Sequence, residues 1–224
     1  MKLLAFDLST ACTGVTGAEL NGKDIVYLKT FSIVPCVDKK KTISSLGFEP
    51  NKRYIESARS QRILTYVRFP DENVPKTEKK KRDVAVRNAI NAGLKQDLSV
   101  KLNHLVQSFC PDIILVERNE SFHGVLTTKL LAETKGILEG AAGSIPVYSY
   151  NVVKIRSEMD LTTITKQFID SVQDASVLSG VDKITKHAIK HYLEKKYNIQ
   201  CQNTDESDSL AVFNYYYETE VKSR

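Results

Sequence analysis

The chain lacks the signatures of most familiar enzyme classes. Its four cysteines, Cys12, Cys36, Cys110 and Cys201, are scattered and form no C-x-x-C pair. They read as reduced thiols of a cytosolic protein, not as a zinc site or a disulfide framework. No apolar run approaches the ~20 residues that cross a bilayer, so no membrane association is expected. The opening MKLLAFDL is too short in its apolar part for a signal peptide and already carries Asp7, so it reads as a structural strand. The patterns G-x-x-x-x-G-K-[ST], G-x-G-x-x-G and G-x-S-x-G are missing, which argues against P-loop, dinucleotide-binding and serine-hydrolase chemistry. The four histidines include no H-E-x-x-H. His104 is expected to pack or cap within a helix, and His123 to be a loop residue in solvent.

What the chain has is four well-placed carboxylates. KLLAFDLST is an apolar strand that delivers Asp7 ahead of Ser9 and Thr10, and PDIILVERN is a buried-strand run that Glu117 terminates. Both acids leave a sheet at its carboxyl edge. In NTDESDSLAVFNYYY, Thr204 or Asp205 can cap a helix whose apolar face carries Leu210, Ala211, Phe213 and Tyr217. The three-residue step puts Asp205 and Asp208 on one side of its first turn. An aspartate at a strand end commonly serves a turn, and D-x-x-D at a helix start commonly serves a cap. Four such acids together call for another account, because clustered carboxylates repel unless a cation or proton neutralises them. Their oxygens suit Mg²⁺ or Mn²⁺, and Mg²⁺ keeps much of its water and needs few protein ligands.

A chain of 224 residues with 42% hydrophobic content can bury one α/β core, so residues 1–224 are expected to form a single domain. Residues 14–20 and 24–34 read as a hairpin joined at Asn21-Gly22. A helix is expected from about Asp83 to Phe109, on Val86, Ile90, Leu94, Leu98, Leu102, Leu105 and Phe109, with Pro111 ending it. The Glu117 strand follows, then a helix over about 126–142, a strand over 145–150 and an amphipathic helix over 183–197. In the last of these, Lys186 and Lys190 face outward. Three antiparallel strands followed by alternating helix and strand is the ribonuclease H order, an α/β five-stranded mixed sheet flanked by helices.

The order strand-Asp, strand-Glu, then D-x-x-D opening the last helix resembles the RuvC-type Holliday junction resolvases, which have the ribonuclease H fold. FDLSTACTGVTGAEL resembles that family's first hairpin and ILVERNESF its strand-Glu segment. KGILEGAAGSIPVYSYNVVK is similar to its helix, strand and basic loop, and TDESDSLAVF to its closing motif. The likeness covers residues 1–34 and 101–219 with gaps. It implies a two-metal endonuclease acting on four-way or other branched DNA as a homodimer, in the cytoplasm of a bacterium or of a phage-infected cell. By the same match, Asp7 would bridge two Mg²⁺ or Mn²⁺ ions, with Glu117, Asp205 and Asp208 completing their shells. Phe122 would insert at the crossover, although it follows the acid at a longer spacing than in the family. Lys154 and Lys186, or Lys183 in another register, would hold phosphates.

Two stretches depart from the family. Residues 157–180 are longer than the loop they replace, and residues 35–82 have no counterpart in the compact bacterial enzymes. Between residues 39 and 95 there are 15 Lys or Arg against 6 Asp or Glu, so the rest of the chain is net acidic although the whole carries +5. Lys39 to Lys41, Lys52, Arg53 and the KKKR of Lys79, Lys80, Lys81 and Arg82 are interleaved with Phe48, Tyr54, Tyr66 and Phe69. Such a mixture suits a phosphate backbone with exposed bases, while a solvated loop would carry the same charges only for solubility. Two rival readings remain at this point. One is a non-catalytic DNA-binding protein on the same fold. The other is an actin-like or sugar-kinase ATPase, since FDLSTACTGV also resembles that phosphate loop, but this needs a second domain that the chain is too short to supply.

Overall fold

The computed structural model describes residues 1–9, 11–47, 75–118, 125–172 and 181–223. Phe122, His123 and residues 48–74 of the basic insertion lie outside the described residues, as do the side chains of Lys79 and Lys183. Strands β1 (Lys2–Asp7), β2 (Thr13–Asn21) and β3 (Asp24–Ile33) form an antiparallel meander, with Gly22 at φ +60° in the tight turn between β2 and β3. β4 (Ile113–Arg118) and β5 (Val147–Asn151) add in parallel to the other side of β1, giving the sheet order β3-β2-β1-β4-β5. The mixed five-stranded sheet is the ribonuclease H-like architecture that the strand pattern implies.

Side chains alternate across a strand, and here the alternation sorts two cores. Leu4, Phe6, Ile114 and Val116 face α2 (Lys76–Phe109) and α3 (Val125–Ala142), meeting Leu98, Leu102, Val106 and Leu138. Leu3, Ala5 and Leu115 face the opposite layer. That layer contains α4 (Val152–Ser157), α5 (Leu161–Ser171), α6 (Val181–Tyr197) and α7 (Thr204–Tyr216), the last running on into a π-helical turn at Tyr217–Lys222. Asp7 lies two residues beyond Ala5, and Glu117 two beyond Leu115. Both acids therefore continue onto the α7 side of the sheet.

Three boundaries differ from the sequence reading. Helix α2 begins at Lys76 rather than near Asp83, because Lys, Glu and Arg favour helix and Pro75 stands at its N-cap. Part of the stretch 157–180 is helix α5, capped by Asp160, whose side chain accepts from the Thr163 amide. Part of the basic insertion is the short helix α1 (Lys39–Ser45), capped by Asp38. The fourfold spacing of Val86, Ile90, Leu94, Leu98, Leu102 and Val106 advances about 40° per step around an α-helix. The stripe consequently winds. Its second half meets the sheet, while Val86, Ile90 and Leu94 meet Ile43 of α1 in a separate small core.

Candidate active site

The four acids come together at the carboxyl edge of β1 and β4, from three distant segments. Asp7 ends β1, and burial raises its pKa well above the usual carboxylate range, with Glu117, Asp208 and then Asp205 adding repulsion. Glu117, near the end of β4, is pushed up to about 7, first by burial and then by the charge of Asp208. Charge repulsion of this kind acts over short distances in a poorly solvated site. The sequence reading grouped these residues by pattern, and the fold makes them neighbours.

Helix α7 brings the last two acids, and a built anchor holds its first turn. The N-cap is Asn203, not Thr204 or Asp205, and its Oδ1 accepts from the Glu206 amide at 2.9 Å. Asn203 has an extended backbone, as a cap requires, whereas Thr204 and Asp205 are already helical. The Glu206 side chain is 1% exposed. Its two oxygens accept from Ser32 Oγ and the Gln202 amide, both at 2.8 Å, and Asn203 Nδ2 also donates to Ser32 Oγ. Deeper in, Thr16 and Ser209 share a buried hydroxyl hydrogen bond of 2.9 Å. Helix α7 is thereby tied to β2 and β3 on both sides of Asp205 and Asp208. The N-x-x-E spacing of Asn203 and Glu206 is a capping-box pattern visible in the sequence, but the bond to Ser32 is not.

Gly14 completes the anchor. It pairs with Asp7 in the β1–β2 register, and a Cβ there would lie 1.8 Å from the Asp205 carbonyl oxygen. Gly14 is required by the closeness of α7, not by its own backbone angle. Gly14→Ala is expected to lower stability by about 2–3 kcal/mol or more, because the obstacle is backbone and cannot rotate away. Thermal melting checks this, and a wild-type melting temperature would show that α7 does not sit on β2 at this distance.

Two basic side chains enter the cluster. Lys186 of α6 is half-buried rather than turned outward, with its Nζ 2.9 Å from Asp208 Oδ2, and Asp208 itself is 8% exposed. Burial opposes the lysine's charge, but contact with Asp208 outweighs it and the pKa is raised. Arg156 of α4 offsets part of the rise in the pKa of Glu117, whereas Lys154, two residues earlier, is exposed. Sequence reading missed Arg156, because only the packing of Ile155 into the core decides which base turns toward the acids. It also missed Cys12, whose thiol is pushed up to about 11 by burial and by a hydrogen bond with Asp205.

Among the described residues, no three Asp, Glu, His or Cys side chains close on one point tightly enough to hold an ion as they stand. The donor set nevertheless fits a hard divalent cation. It consists of carboxylate oxygens, the repulsion among them is what a cation relieves, and Mg²⁺ commonly takes only one or two carboxylates and keeps its waters.

No protein-family model matches the chain, and no curated protein matches it in sequence. Solved structures do. RuvC of Thermus thermophilus superposes with a TM-score of 0.50 at 11% identity, covering 99% of this chain and 98% of that one. The T. thermophilus RuvC structure in complex with Holliday junction substrate gives 0.51 at 10% identity, with the same coverage. Likeness at that identity speaks to architecture, and together with the strand order and the two-sided helical layers it shows that this chain has the RuvC variety of the ribonuclease H-like fold.

Proposed function

We propose that the protein is a metal-dependent endodeoxyribonuclease that cuts four-way or other branched DNA by phosphodiester hydrolysis. The observation that carries the reading is the convergence of Asp7, Glu117, Asp205 and Asp208 at one sheet edge, where burial, and then the charges of the other three, raise the pKa of Asp7. A fold shared with RuvC supports it. The four acids would hold Mg²⁺ or Mn²⁺, with Asp7 in the central place. Two such ions supply an activated water on one side of a phosphodiester and charge stabilisation for the leaving oxygen on the other.

The protein's own groups do the rest. The Ser32–Glu206–Asn203 anchor fixes the helix start that presents Asp205 and Asp208. Lys186 neutralises Asp208 at rest, and once that carboxylate has another partner its Nζ is available to a DNA phosphate. Arg156 stands beside Glu117 with the same capacity, a better placement for a phosphate clamp at the acids than exposed Lys154. Phe122, Lys183 and the KKKR cluster keep their proposed roles in DNA contact. We further assign the chain to one domain over residues 1–224 and to a cytoplasmic homodimer, since paired nicks on opposed strands need two active sites.

Synthetic four-way junction, flap, duplex and RNA–DNA hybrid substrates, each with and without Mg²⁺, test the reading. Mg²⁺-dependent cutting that favours the junction is the expected result. Tight junction binding without cutting under any divalent ion would instead favour the non-catalytic DNA-binding protein, in which Lys186 keeps Asp208 permanently neutralised.

A further inference from the structure

The two basic clusters Lys39–Lys41 and Lys79–Arg82 are separated by a long insertion in the sequence, yet the fold brings them onto one projection. Helix α2 runs antiparallel to β4. Its last residue, Phe109, lies beside Gly17 and Leu4, with Lys2 Nζ 5.8 Å from its ring and Tyr27 6.4 Å away, all at the amino edge of β1. Twelve residues earlier, Asp97 Oδ2 accepts from the Cys36 amide at 2.8 Å, and Lys101 Nζ donates to the Val34 carbonyl at 2.9 Å. Val34 and Cys36 follow Ile33, which pairs with Thr13 at the edge where Asp7 leaves the sheet. Those twelve residues cover ~18 Å of helix, close to the ~17 Å that β1 spans from Lys2 to Asp7. Every residue of α2 before Asp97 therefore lies beyond the carboxyl edge of the sheet, the edge that carries the acids.

The protruding part is a built prong. Val37 packs on Gly93, where a Cβ would come within 2.7 Å of its Cγ2, and Ile43 packs among Val86, Ile90 and Leu94. From Asp97 back to Lys81 the helix advances roughly 24 Å. Lys40, Lys41, Lys76, Lys80 and Lys81 are exposed on this prong, and Lys39 is half-buried. The nearby acids are largely engaged: Asp38 caps α1, and Glu78 lies 3.6 Å from Arg82. A positive rod with a small apolar core of its own has no need of so much charge for folding.

We propose that the α1–α2 prong is a second DNA-contact surface, which grips the sugar–phosphate backbone of a duplex arm beyond the acid edge of the sheet, reaching to Lys81 about 24 Å along the helix from Asp97. The inference rests on the reading of the protein as a DNA-cutting enzyme, and it adds a reach. A projection of ~24 Å corresponds to about 7 base pairs of duplex at 3.4 Å each, so an arm shorter than this cannot run from the sheet edge to the tip of the prong.

The test compares the full chain with the variant K39Q/K40Q/K41Q/K80Q/K81Q, binding junctions in Ca²⁺ at several salt concentrations. Arms of about 20 base pairs are set against hairpin-closed arms of about 5, and a linear duplex of about 20 base pairs is included. On long arms the variant is expected to bind at least tenfold more weakly, with the slope of log affinity against log salt reduced by about 0.9 for each phosphate it no longer neutralises. On short arms, which reach only the Lys39–Lys41 end of the prong, the variant should lose clearly less affinity than on long ones. Equal long-arm affinity and slope would overturn the proposal, as would an equal loss on short arms. The linear duplex separates this outcome from that of the nuclease reading, because a prong contribution to duplex binding survives even if no junction is ever cut. An unchanged melting temperature confirms that the substitutions leave the fold intact.

Discussion

Asp7→Asn should abolish Mg²⁺-dependent cleavage, a loss of at least a thousandfold, while junction binding in Ca²⁺ or EDTA stays within a few-fold of wild type. Asn matches Asp in shape but removes the negative charge that a divalent cation requires. Asp7 feels the other three acids, so it is the one whose loss affects both ends of the cluster. Glu117→Gln and Asp208→Asn should behave similarly, since each contributes to the same charge assembly. Single-turnover cleavage at saturating enzyme, alongside anisotropy binding, gives the comparison. If any two of these three variants cut at the wild-type rate, the assignment of the acids to metal binding fails.

The second large effect is on stability and needs no substrate. Glu117 has an ordinary value near 4.5 and is raised to about 7 in the folded protein. Between those pH values the folded chain keeps a proton that the unfolded chain releases, so stability falls as pH rises through the window and stays low above it. Asp7 is raised too and acts in the same direction. The Glu117 shift corresponds to at most about 3 kcal/mol before solvent screening, or several degrees of melting temperature for a chain of this size. In EDTA, the wild type should melt lower at pH 8 than at pH 5.5, and millimolar Mn²⁺ should restore the difference by binding only the folded state. Glu117→Gln should melt higher than wild type at pH 8 without metal, show a shallower pH dependence and gain less from Mn²⁺. Parallel pH profiles for wild type and variant in EDTA would mean that Glu117 is not held in a repulsive cluster.

Gly14 and Glu206 show why the candidate site on this fold needs more than its acids. Asp205 sits in the first turn of a helix, the part most prone to fray because its amides lack partners within the helix, and Asp208 follows at the start of the next turn. Asn203, Glu206, Ser32 and the close approach at Gly14 remove that freedom. Once held this way, the acids can stay close despite their repulsion.

Much of the architecture was legible in the chain itself. The runs LLAF and IILV, the Asn21-Gly22 turn and the i, i+4 stripe from Val86 to Val106 express local periodicity, and periodicity survives whatever the tertiary contacts are. Alternation alone places Asp7 with Ala5 and Glu117 with Leu115, on one face. The start of α2, the cap of α7 and the pairing of Lys186 with Asp208 were decided elsewhere. Each depends on a partner far away in the chain or on a competition between neighbouring candidates, such as Asn203 against Thr204 or Arg156 against Lys154. Residue types alone cannot rank such candidates, because the deciding energy comes from packing and from charge interactions across the sheet. The prong is the clearest case. Its two lysine clusters are far apart in sequence, and only the small core of Ile43, Val86, Ile90 and Leu94 holds their two helices together beyond the acid edge.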